Sequence, residues 1–138
     1  MVLAAVGGLP NWRLIKTLAF SSEIASITFS EDDNGEAFAV KEFMIVGTVP
    51  ALASNGYLYV KPAESGTQNS IWPTASKGLV WWSASVNGKL KTMLAVSNTV
   101  VIWAFDRDPV CENDTIRKLV IGASSGFTAD GTLYVYGR

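Results

Sequence analysis

The stretch Ile116-Arg117-Lys118-Leu119-Val120-Ile121-Gly122-Ala123, then Ser124-Ser125-Gly126-Phe127-Thr128-Ala129-Asp130-Gly131, then Thr132-Leu133-Tyr134-Val135-Tyr136-Gly137-Arg138, decides the fold class. It holds two β-rich runs around a glycine-bearing connection, and the second run reaches the final residues. Terminal segments fray unless something ties them down, so a β-rich run there predicts a strand held inside a sheet. The spacing of the two runs predicts a closing hairpin.

Upstream, short β-rich runs recur at similar spacing. They cover Trp12 to Phe20, Ile24 to Phe29, Phe38 to Val46, Tyr57 to Lys61, Leu79 to Val86, Leu90 to Val96 and Thr99 to Phe105. Asn34-Gly35 and Asn87-Gly88 are hairpin signals, because both residue types tolerate positive φ. Pro50 and Pro62 mark strand ends, since proline cannot donate to a ladder. The segment from Pro62 to Lys77, rich in Ser, Thr, Gly and Asn, reads as the longest irregular connection. The nearly continuous apolar run Thr99 to Phe105 fits a strand buried on both faces or lying in a subunit seam. No window carries a helical stripe longer than two turns. About eight or nine short strands without a repeat predict an all-β, antiparallel β-sandwich of jelly-roll type, with an immunoglobulin-like sandwich as the alternative. Residues 1–10 read as an apolar N-terminal arm, and residues 11–138 as a single sandwich domain.

With 138 residues, 49% of them hydrophobic, the chain can build a core without a metal or disulfide framework. Its one cysteine, Cys111, lies among acidic residues that disfavour a thiolate, so an inert thiol is expected. Eleven basic and twelve acidic residues are scattered singly, leaving no basic stripe for nucleic acid. No apolar run approaches the ~20 residues of a membrane-spanning helix. The arm Met1 to Pro10 lacks the basic start of a signal peptide.

Histidine is absent, which removes the commonest general base and the commonest zinc ligand. No phosphate-binding glycine loop occurs. The chain is therefore read as non-enzymatic, with no cofactor. Asp106 and Asp108, with Glu112 and Asp114, are weak calcium candidates in a polar connection. The stronger signal is aromatic: five tryptophans offer flat faces on which sugar rings stack. Between Leu79 and Val86 the set Val80, Trp82, Ala84, Val86 is wholly apolar, whereas Leu79, Trp81, Ser83, Ser85 is mixed. Alternation then turns Trp82 to the core and Trp81 to the surface. Trp72 before Pro73, Trp81, and the same-face pair Tyr57 and Tyr59 are the candidate glycan contacts, while Trp12 and Trp103 are assigned to packing.

The run Leu119 to Ile121, the Phe127 turn with its glycines, and the final Leu133-Tyr134 strand together resemble the closing segment of small β-sandwich domains on bacteriophage tail fibres and other virion appendages. The resemblance covers about the last quarter of the chain. It implies a virion structural or receptor-binding protein, a homo-oligomer and often a trimer, that meets other virion proteins and a bacterial surface glycan. The low charge, and a positive mean hydropathy in so small a domain, agree with apolar surface buried between subunits. A stand-alone carbohydrate-binding module, extracellular rather than on a virion, is the alternative.

Overall fold

The computed structural model describes residues 11–53, 56–63, 65–71, 78–96, 99–102 and 109–138. Among them ten strands form: β1 (Arg13–Phe20), β2 (Ser26–Phe29), β3 (Glu42–Thr48), β4 (Leu58–Pro62), β5 (Asn69–Ile71), β6 (Gly78–Val86), β7 (Lys89–Val96), β8 (Thr99–Ile102), β9 (Leu119–Ala123) and β10 (Gly131–Gly137). They make two antiparallel sheets, a six-stranded one ordered β1-β10-β3-β6-β7-β8 and a four-stranded one ordered β2-β9-β4-β5.

The pairing is that of a jelly roll. The run β1-β2-β3-β4 zips antiparallel onto β10-β9-β6-β5, giving the pairs β1·β10, β2·β9, β3·β6 and β4·β5. This double ribbon then rolls up so that β10 also meets β3 and β9 also meets β4. Eight strands complete the roll, and β7 and β8 extend the larger sheet beyond β6.

Alternation fills the space between the sheets. Phe43 and Ile45 of β3, Leu133 and Val135 of β10, and Ile15, Leu18 and Phe20 of β1 point inward from the larger sheet. Leu58 and Val60 of β4 meet them with Leu119 and Ile121 of β9. A register shift between Leu14 and Lys16 gives β1 one extra residue opposite β10. Cys111 is buried in the same core.

Two expected hairpins are not hairpins. β9 and β10 fall where the sequence marks them, yet they lie in different sheets, so residues 124–130 cross the sandwich. Phe127 at that crossing is buried, its ring centroid 4.8 Å from that of Phe20. The corner is held by core packing, which a local turn signal cannot distinguish from a hairpin. The second case is Asn34-Gly35, where β2 and β3 also occupy different sheets. Here the buried Asp32 carboxylate accepts hydrogen bonds from the backbone N–H groups of Asn34 (2.8 Å) and Glu36 (3.0 Å), shaping a self-contained loop. Asp33 accepts from the Thr17 N–H, and Arg13 reaches Asp32 at 3.4 Å. The loop thus covers the open edge of β1. Asn87-Gly88 does join a paired hairpin, β6 to β7, with φ of 52° and 76°, the signature of a type I′ turn.

One strand, β5, lies within the segment read as irregular. It is only three residues long, and its first residue, Asn69, is polar and buried, so hydropathy gives no sign of it.

The Glu36 N–H, with Asn34 and Arg13, holds the Asp32 carboxyl below its ordinary value of 3.8, against an opposing push from burial. A depressed carboxyl pKa stabilises the fold above its unfolded-state value, and that contribution disappears as pH falls through the folded-state value. Asp32→Asn is therefore expected to lower the melting temperature by a few degrees near pH 6, with the gap to the parent closing below pH 3.8. Melting curves across that range check it; a gap that persists in acid contradicts the assignment.

Candidate functional site

The outward face of the four-stranded sheet carries the first candidate constellation. Tyr57 precedes β4 and Tyr59 lies within it; both rings are half-buried on one face, with centroids 6.5 Å apart and planes at 68°. The backbone of Tyr57 is locked to Ser124: its N–H donates to Ser124 Oγ (3.0 Å) and its carbonyl accepts from the Ser124 N–H (2.9 Å). Gln68 Nε2 donates to the Tyr57 hydroxyl at 3.3 Å. Ser70 of β5 and Gly122 of β9 are the register partners of Tyr59 on either side. Beyond Gly122 comes Ser26 of β2. A Cβ on Gly122 would lie 2.5 Å from Ser26 Cβ and 2.7 Å from the Ala25 carbonyl, so glycine lets β2 close in beside the tyrosines. The result is an aromatic pair set among hydroxyl and amide groups.

Tyr57 and Tyr59 thus stand together as their alternation requires. Gln68, Ser70, Gly122 and Ser26, which surround them, were not legible, because cross-strand register does not show in a linear pattern.

Trp81 corrects the sequence expectation. It is 0% exposed and belongs to the core, so it cannot be a surface contact in this fold. Its inward face is the mixed one, and the serine there is paired: Trp81 Nε1 donates to Ser83 Oγ (2.8 Å). Ser83 Oγ is hydrogen-bonded to Thr92 Oγ1 (2.8 Å), which accepts from Asn69 Nδ2 (2.7 Å). Buried polar atoms are tolerated when bonded to one another. Asn69 comes from the opposite sheet, so this chain of bonds ties the two layers together.

Trp82 accordingly points outward, half-buried, with Nε1 donating to Glu42 Oε2 at 3.0 Å. The other Glu42 oxygen accepts from Arg138 Nε, and the Arg138 guanidinium carbon lies 4.7 Å from the centroid of the Trp12 ring. Trp12 and Trp82 thereby flank the ion pair that fastens the end of β10 to β3.

Comparison with protein-family models, curated proteins and solved structures finds no match. Trp72, Trp103, Asp106 and Asp108 lie outside the described residues. Asp114 has a structural role: its Oδ1 accepts from Ser85 Oγ (3.3 Å) and from the Gly88 N–H, bracing the β6–β7 turn. Among the described residues, no three His, Cys, Asp or Glu side chains converge in a way that would hold a metal ion.

Proposed function

We propose that this chain is a non-enzymatic virion structural or receptor-binding domain, a jelly roll of a phage fibre or appendage that works as a homo-oligomer and adheres to a surface glycan. The observation that carries the adhesive part is the Tyr57–Tyr59 pair among Gln68, Ser70 and Ser26. Pyranose rings present apolar C–H faces that stack on phenol rings, while hydroxyl and amide side chains answer their equatorial hydroxyls. The virion part draws on the resemblance of residues 116–138 and on the use of jelly rolls in capsid and lectin domains, an analogy at the level of fold.

The test is saturation-transfer NMR with the methyl glycosides of glucose, galactose and N-acetylglucosamine. Wild type is expected to show transfer to at least one of them, and Tyr59→Ala to weaken that binding by about tenfold or more. Transfer unchanged when both tyrosines are replaced by alanine, or none from wild type, removes the glycan reading. A monomeric protein that binds would favour the carbohydrate-binding module.

A further inference from the structure

The two outward sheet faces differ in kind. On the four-stranded sheet the positions around the tyrosines are Ser26, Thr28, Val120, Lys61, Ser70 and Gly122, a mostly polar, water-facing surface. On the six-stranded sheet, two adjacent cross-strand rows are apolar or aromatic. One runs Leu14, Tyr136, Met44, Trp82, Met93, and the ladder continues to β8 at Ile102. The next starts at the exposed Thr17 of β1 and runs through Tyr134, Val46, Val80 and Ala95, with Val46 itself buried beneath its neighbours. Leu14 is 45% and Met93 40% exposed, and the tyrosines, Met44 and Trp82 are half-buried.

We propose that this face seats a second copy of the same chain, sheet against sheet. The proposal rests on the homo-oligomeric reading above and assigns it a surface. Size is the first argument. Among β1, β10, β3, β6 and β7, four strand spacings of about 4.8 Å give a width of about 19 Å, and seven to nine residues along each strand give about 25 Å. Side-chain relief lifts this area of about 475 Å² in projection toward the ~800 Å² per partner of a standard interface.

The rim is the second argument. Beyond one apolar row lie Arg138, Glu42 and Lys91; beyond the other lie Thr132 and Thr48. Two identical faces must be related by a two-fold axis in the plane of contact. An axis along the strands would bring the cationic rim residues of both copies onto the same side. An axis across the strands sets the ionic rim of each copy over the threonine hydroxyls of the other and avoids like-charge contact. A net charge of −1 offers little repulsion to self-association.

Sedimentation equilibrium on wild type, Met44→Lys and Met93→Glu tests this, with Thr28→Lys on the opposite sheet as control. Wild type and the control are expected to be dimers. Each variant is expected to weaken dimerisation by about 100-fold or more, because a charge would be driven into an apolar contact. Met93 is exposed enough for its variant to fold, and wild type supplies a readout of its own: peroxide should oxidise Met93 more slowly at high protein concentration than at low. A monomeric wild type overturns both the oligomeric reading and this face. An oligomer indifferent to both variants overturns the face alone, and a trimer overturns the two-fold pairing.

Discussion

Trp81→Ala is expected to cost about 3–5 kcal/mol of folding stability, the range for removing a large buried aromatic side chain. The indole is 0% exposed. Ser83 Oγ would also lose the indole N–H as a donor, inside a chain of bonds that already leaves Asn69 Oδ1 unpaired. In a domain of this size such a loss lowers the melting temperature by roughly 10 °C or more. Trp82→Ala should cost far less, since that ring stands half-open on the outer face. Thermal melts of the two variants side by side, at a protein concentration low enough to keep both monomeric, decide the matter: equal losses, or a larger loss for Trp82, would contradict the inward orientation of Trp81.

Gly122→Ala is the second large effect. The added methyl would meet the Ala25 carbonyl at 2.7 Å and the Ser26 backbone at 2.9 Å, and neither can rotate away. β2 must therefore lift from β9, at about 1–3 kcal/mol for forced overpacking. Because β2 is an edge strand of only four residues, the damage should stay local. Hydrogen exchange should accelerate at residues 26–29 while β10 keeps its protection. Uniform protection across β2 would show that the strand accommodates the methyl without moving.

The strands themselves were legible because their residues alternate and their ends carry glycine, proline or asparagine. The pairing was legible only where two strands share a two-residue turn, as at Asn87-Gly88. β9 and β10 look like hairpin partners in sequence, yet Phe127 turns the chain across the core instead. The tryptophan pair shows the limit of counting hydrophobic side chains. Ser83 is polar in isolation and satisfied in place, by Trp81 and by Thr92 of the next strand. Its inward position depends on β7 lying alongside with a hydroxyl at the right register, a tertiary fact. The same reversal hid the apolar outer face, which emerges only when β10, β3, β6 and β7 are laid side by side. The tyrosine pair was readable from its spacing of two, but its polar surroundings come from three other segments.

The nesting of the ribbon also governs how the chain acquires its shape. β10 lies between β1 and β3, so residues 131–137 fill an interior place in a sheet whose other members come earlier in sequence. Until they arrive, β1 and β3 each keep an edge without its native neighbour, and the larger layer exists only in two parts. Closure of so many long loops in one step makes assembly slow and all-or-none compared with a helical bundle of equal length. During synthesis, the growing polypeptide would expose adhesive strand edges until residues 131–137 emerge, the interval in which a chaperone or a sister chain has most to gain by binding.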